Sequence, residues 1–334
     1  MKFLRFFFLL FAIGLATSII YVLGPSKILQ NIRLVGWNLG WVFLIGFPRY
    51  ILYTIAWRMF LPPNSYSLGK LFQIKVAGEL ITRSTPVHFL GGDTARILLM
   101  GKRLSRTDQA GSVIIDRTVM TFGGGIIVLL GLMLASFRLP LSLLPQLTLW
   151  LLVGLLFAGL FFIISHQKKT AFESLLNLLG RIGFKRWIKP TWVEKTKEID
   201  TSIRRYYEKG HSDFLKAVGI IVVARLTVAL EIFLLLKFLN IPLGFLEAII
   251  FSSMSLLMTV LFFLFPGNLG ILEGTYGVLF HWLGFDPATG VSLELLRKLN
   301  SGLWYFVGAA IALTFKREAV VRKRDEGKNL QQAS

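Results

Sequence analysis

About six long apolar runs organise the chain, near 6–23, 34–57, 110–137, 139–165, 217–239 and 293–315, each long enough to cross a bilayer as a helix. Two further apolar segments are interrupted. The first reads Glu79-Leu-Ile-Thr-Arg83-Ser-Thr85-Pro86-Val-His-Phe-Leu-Gly91-Gly92-Asp93-Thr-Ala-Arg96. The second reads Pro266-Gly267-Asn268-Leu-Gly270-Ile-Leu-Glu273-Gly274. Proline and glycine unwind a helix there, and lipid has no groups to pair with the freed N–H and C=O. Such backbone is tolerated at membrane depth only inside protein or beside a wet cavity. The run at 6–23 is expected to be retained as a span, because it is long for a signal peptide and no small-x-small cleavage site follows.

Polar positions orient the runs. Lys2 and Arg5, the loop with Lys102, Arg103 and Arg106, the stretch 166–216, and the tail 316–334 carry the basic residues. Placing all four in the cytoplasm follows the positive-inside rule and puts both termini there, in the inner membrane. The first interrupted segment must then enter and leave from the cytoplasmic side, and the second from the opposite side. The expected fold is an all-α polytopic membrane protein with two inverted-topology repeats, at about 34–137 and 217–315. Each repeat holds a re-entrant helical hairpin, giving about six full spans plus two hairpins in a single membrane domain. The stretch 166–216 mixes lysine and arginine with Trp187, Trp192, Tyr206 and Tyr207, a pattern that suits helices lying at a headgroup surface. Arg49 and Arg225 stand at similar distances before Leu68-Gly69 and Leu243-Gly244, and Arg117 and Arg297 each fall early in the span after a hairpin.

Composition agrees. Of 334 residues 54% are hydrophobic and 16% charged, a balance that would leave a soluble domain with too much exposed apolar surface. The net charge of +19 sits beside the apolar runs and faces anionic headgroups, so no nucleic-acid partner is expected. With no cysteine and only scattered histidines (His88, His166, His211, His281), thiolate chemistry is excluded and neither a metal site nor a cofactor is expected. A Walker loop and a Gly-x-Ser-x-Gly elbow are both missing, and no acid–base constellation stands out, so the expected protein is not an enzyme.

The charged residues inside apolar segments are the candidate site, since intramembrane charge is costly and marks a pathway or a partner. Asp93 is placed to cap a helix that starts after Gly91-Gly92, and those glycines let backbone amides approach a phosphate at the helix N-terminus. Arg96, one turn on, pairs with Asp93 or with that phosphate. Lys75, Glu79 and Arg83 share one helix face and are spaced to pair. Asp116 and Arg117 diverge by about 100° around a helix and so take different partners. Glu294 is spaced for a local pair with Arg297 or Lys298. Glu273 is the only acid of the second break, suited to an arginine of the other repeat or to a cationic headgroup. The candidate headgroup and translocation residues are thus Glu79, Arg83, Thr85, Pro86, Gly91, Gly92, Asp93, Arg96, Asp116, Arg117, Pro266, Gly267, Asn268, Gly270, Glu273 and Arg297.

Taken together, Thr85-Pro86, Gly91-Gly92-Asp93-Thr-Ala-Arg96, Ala110, Asp116-Arg117 and Pro266-Gly-Asn-Leu-Gly270-Ile-Leu-Glu273-Gly274 resemble the lysylphosphatidylglycerol synthase transmembrane-region family, whose members are also called flippase-like. The resemblance covers nearly the whole chain. It implies a lipid translocase, because in bifunctional members this domain moves aminoacylated phosphatidylglycerol between leaflets while a separate soluble domain makes the lipid. The stretch after Phe315 is short, so that synthase domain is not expected and aminoacyl transfer does not carry over. The expected partners are membrane lipids with anionic headgroups and a lipid-synthesising enzyme. Two other classes stay open at this point: a secondary transporter of a small organic anion, and a non-transporting scaffold for a lipid-modifying enzyme.

Overall fold

The computed structural model describes residues 24–84, 88–101, 103–167, 211–262 and 268–332, with a few isolated positions besides. Its elements are helices: α1 (Pro25–Val35), α2 (Leu39–Arg58), α3 (Leu68–Ser84), α4 (His88–Leu99), α5 (Arg106–Arg138), α6 (Leu143–Gln167), α7 (His211–Phe238), α8 (Phe245–Leu261), α9 (Ile271–Trp282) and α10 (Pro287–Gln332). No strand occurs among the described residues. Most of the run at 6–23, most of the basic stretch 166–216, and Thr85, Pro86, Pro266 and Gly267 lie outside the described residues, as does the Arg83 side chain.

Local chemistry sets the helix ends. Pro25 opens α1 after Gly24, and Gly36 closes it at φ +45°. The Ser105 hydroxyl caps α5 by accepting the Asp108 N–H at 3.0 Å. Pro48 lies inside α2 without breaking it, since the helix runs from Leu39 to Arg58. Neighbouring helices and local adjustment make good the one lost N–H bond.

Among the described residues three helical stretches are long and apolar enough to cross a membrane: Pro25–Arg58, Arg106–Arg138 and Ser212–Phe238. Large apolar side chains stand exposed around them, among them Leu144, Leu151, Leu155 and Phe157 along α6. A soluble protein rarely presents so wide an apolar surface. The chain is an all-helical membrane protein.

Helices in lipid associate through close packing at small residues. Gly131 on α5 faces Ser253 on α8, and a Cβ there would fall 1.7 Å from the serine hydroxyl. Gly123 meets Ile221 on α7, and Gly46 on α2 meets the Trp304 indole on α10. α2 and α7 cross antiparallel through Arg49–Glu231 and Tyr53–Arg225. α5 and α8 are antiparallel too, from Arg138–Glu247 at one end to Gly124–Leu256 further along. α3 and α4 pack along each other as a hairpin. Its two open ends are tied together where the Tyr66 hydroxyl donates to the Met100 carbonyl (3.0 Å) and Arg103 donates to that of Ser65 (3.2 Å). α8 and α9 adjoin in the second half, and α10 packs on α3 as α5 packs on α8.

Candidate functional site

Two polar clusters are buried among these helices, one beside each hairpin. In the first, Asp116 of α5 is fully buried between two cations. The Lys75 ammonium of α3 lies 2.5 Å from its Oδ2, and the Arg96 guanidinium of α4 lies 2.8 Å from the same oxygen. Arg96 also lies over the Trp57 ring at 4.0 Å, which shields its planar face. One helical position along, Arg117 turns the other way. Its Nε and Nη2 donate to the two Asp93 oxygens at 3.1 and 2.8 Å. This bidentate pair is 30% and 21% exposed on its two sides, so it meets the outside of the cluster while Lys75–Asp116–Arg96 does not.

In the second cluster, the Lys298 ammonium of α10 donates to Glu273 Oε1 of α9 at 2.6 Å. The other Glu273 oxygen accepts the Gly270 N–H at 2.9 Å, capping α9. Gly270 holds φ +78° and Asn268 φ +48°, so the chain enters α9 through a left-handed turn that glycine tolerates without cost. Beside them, Arg297 donates to the Tyr276 hydroxyl (2.5 Å), Glu294 (2.7 Å) and Ser255 Oγ (3.0 Å).

The clusters share a spacing. Asp93 and Arg117 are 24 residues apart, and Glu273 and Lys298 are 25 apart. Three residues after each acid comes a second cluster member, Arg96 or Tyr276, which meets the residue just before the outer cation, Asp116 or Arg297. By these contacts Lys298 takes the place in the second cluster that Arg117 takes in the first, with Arg297 one residue before it. Between the clusters, Glu231 of α7 ties three helices, accepting from Arg49 (2.9 Å) and from the Asn300 amide (2.8 Å).

Several expectations change. Asp93 is not a helix cap, because α4 begins at His88 and carries Gly91, Gly92 and Asp93 inside it. Gly92 serves packing instead of a phosphate. A Cβ there would fall 1.7 Å from Thr82 Oγ1 and 2.7 Å from the Gly78 carbonyl, so its backbone face is filled by α3. Glu273 pairs with a lysine of its own half, not with an arginine of the other. Lys75 reaches across to Asp116, so the expected contacts along its own helix are not what neutralises it. Lys75, Tyr276 and Lys298 belong to the clusters although none is among the candidate residues; the sequence offers Lys75 and Lys298 only as partners within their own helices. Lys298 was reachable, since it stands as far into α10 as Arg117 stands into α5.

An apolar groove of about 500 Å³ opens between α6 and the α8–α9 pair. Leu144 and Leu152 line one wall, and Met258, Val278 and Trp282 the other. Gly274 and Thr275 lie at its edge, next to Glu273, so the groove adjoins the second cluster.

The family model described as the lysylphosphatidylglycerol synthase TM region matches residues 8–309. No curated protein and no solved structure matches the chain.

Proposed function

The chain belongs to the lysylphosphatidylglycerol synthase transmembrane-region family, and from that premise we propose that it moves an anionic amphipathic lipid between leaflets. The observation that carries the reading is the paired arrangement of Asp93–Arg117 and Glu273–Lys298, each between a hairpin's second helix and the span after it. Matched polar sites in two halves of a transporter, built where helices are interrupted, bracket a substrate path near the midplane. The correspondence of contacts supports two inverted repeats, α2–α5 and α7–α10, with α3–α4 and α8–α9 as re-entrant hairpins. Under this reading both termini face the cytoplasm across the cell membrane.

The lipid phosphate competes with Asp93 for Arg117, whose guanidinium is the most open of the ion-paired cluster cations and offers a fork that fits phosphate oxygens. Glu273 and Lys298 play the matching part in the second half. The acyl chain runs in the groove beside α6, which keeps hydrocarbon in an apolar path while the headgroup passes the clusters. That apolar lining favours a ligand with a tail over a small soluble anion. The reading needs no enzymatic step by this chain, and a lipid-synthesising enzyme would supply the substrate.

Reconstitution in liposomes with labelled lipids of several headgroups tests it. Wild-type protein should move anionic lipids faster than zwitterionic ones, and Arg117→Gln should reduce that movement about tenfold or more. Equal rates in empty and protein-containing vesicles for every headgroup would end the proposal.

A further inference from the structure

The α2–α7 crossing carries an arginine from each side, and only one of them finds an acid. Arg49 of α2 reaches Glu231 of α7 at 2.9 Å. Arg225 of α7 reaches back to α2 and meets the Tyr53 ring, at 5.8 Å from its centroid. Among the described residues no carboxylate lies within 4.0 Å of the Arg225 guanidinium, and its buried Nε has no hydrogen-bond partner. The residue sits in the middle of α7, within one of the three membrane-crossing stretches.

An intramembrane cation is held by a partner, a wet cavity or a ligand. The aromatic face of Tyr53 attracts the guanidinium but neutralises none of its charge. On its other side Nη2 reaches Gly124 of α5, where an added Cβ would lie 4.0 Å from Nη2 and 3.1 Å from Leu256 of α8, so the neighbours there are backbone and apolar side chain with no carboxylate. The second cation over the Tyr53 ring, Lys75 at 5.9 Å, is already matched by Asp116. Arg225 is the cation of this crossing left with an aromatic ring in place of a carboxylate.

We propose that Arg225 is the midplane binding site for a phosphate-type oxyanion, held between α2, α5 and α7, with the phosphodiester of a membrane lipid as its source. The proposal rests on the lipid-moving reading and names the residue that meets the headgroup between the two clusters. A bidentate guanidinium–phosphate contact has the strength and geometry for a transient stop at that depth.

The test uses the purified full-length chain in detergent. Phosphatidylglycerol is titrated into wild type, Arg225→Gln and Arg225→Lys, with bound lipid counted by native mass spectrometry and unfolding followed by temperature. Inorganic phosphate alone is the second arm, and Arg49→Gln the structural control. Arg225→Gln should hold phosphatidylglycerol about tenfold more weakly, the loss of one charge-assisted pair of hydrogen bonds, with Arg225→Lys between the two. Its Tm should equal or exceed that of wild type, since removing an unmatched charge strands nothing, whereas Arg49→Gln should lower Tm by stranding Glu231. Inorganic phosphate that binds wild type, displaces the lipid and fails with Arg225→Gln would support the site and assign its source to the aqueous phase. Unchanged lipid retention in Arg225→Gln overturns the proposal, and so does a Tm loss equal to that of Arg49→Gln. Liposomes in which wild type moves no lipid would remove the transport reading and leave this binding result standing.

Discussion

The two hairpins share a layout and differ in what they hold on to. In the first half α4 packs extensively on α3, its hairpin partner, and only lightly on α5. In the second half α9 packs extensively on the following span, α10, and more lightly on α8. Glycine marks each tight contact. Gly92 lets α4 meet Thr82 and Gly78 of α3, whereas Gly290 lets α10 meet the Tyr276 carbonyl of α9 at 2.4 Å from a virtual Cβ. The ionic chemistry differs in step. Across the looser α4–α5 contact the pairs are carboxylate to guanidinium, with Asp116 squeezed between Lys75 and Arg96. Across the tighter α9–α10 contact Arg297 donates to the Tyr276 hydroxyl, and it reaches on to Ser255 of α8. Both contacts carry an acid–base pair, and the close one adds a neutral hydroxyl to it.

The largest expected effect comes from removing the first cluster's charge. Asp116→Asn leaves Lys75 buried without its counter-ion and Arg96 with only the longer contact to Asp93 at 3.4 Å, and breaking a buried pair in this way costs about 3–5 kcal/mol. Glu294→Gln in the second cluster should cost less, about 1–3 kcal/mol, because Arg297 keeps its hydroxyl partners. Comparing the two variants by thermal unfolding in detergent checks the order. Equal losses would mean that the hydroxyls contribute nothing and that the two clusters are electrostatically alike.

The glycine contacts give the next largest effect and sharpen the contrast. Gly290→Ala drives a methyl group into backbone, the Tyr276 carbonyl, which has nowhere to rotate. Gly92→Ala meets first a threonine side chain, which has other rotamers, although the Gly78 carbonyl stands behind it at 2.7 Å. Overpacking of this kind costs about 1–3 kcal/mol, and Gly290→Ala should lie at the upper end and Gly92→Ala nearer the lower. Adding Thr82→Ala should recover part of the Gly92→Ala loss. The Tm of the three variants decides it, and no recovery would assign the whole clash to the Gly78 backbone.

The sequence made the helices and the candidate charges legible, but not the pairing. Runs of apolar residues and the loop charges mark the membrane spans because hydrocarbon admits little else. Asp93, Arg96, Asp116, Arg117, Glu273 and Arg297 stand out because ionisable groups inside such runs are costly. Which charge meets which depends on helix rotation and register, and these are set by contacts such as Gly131–Ser253 and Gly46–Trp304 far along the chain. A rotation of one residue decides whether Arg297 or Lys298 is the cation that meets Glu273. Gly91-Gly92-Asp93 misleads for a related reason. Glycine before a potential cap reads as a helix start, whereas here α4 begins upstream and the glycine serves a helix contact. Lys75 and Tyr276 sit on ordinary-looking helix faces and gain meaning only when α5 and α10 arrive beside them.

The smallest expected effect is the most direct probe of the correspondence between the outer pairs. Double-mutant cycles on Asp93–Arg117 and Glu273–Lys298, each through Asn or Gln on the acid and Gln on the base, isolate the coupling in each half. Arg117 makes two bonds to Asp93 but is 30% exposed, while Glu273 is nearly fully buried and spends one oxygen on the Gly270 N–H. Desolvation strengthens the single Lys298 bond and solvent weakens the double Arg117 one, so both couplings should fall near 1 kcal/mol, with Glu273–Lys298 the larger. Raised salt should reduce the Asp93–Arg117 coupling more, because screening reaches exposed charges first. A coupling near zero in one half and above about 2 kcal/mol in the other would show that the shared spacing is not matched by shared energetics.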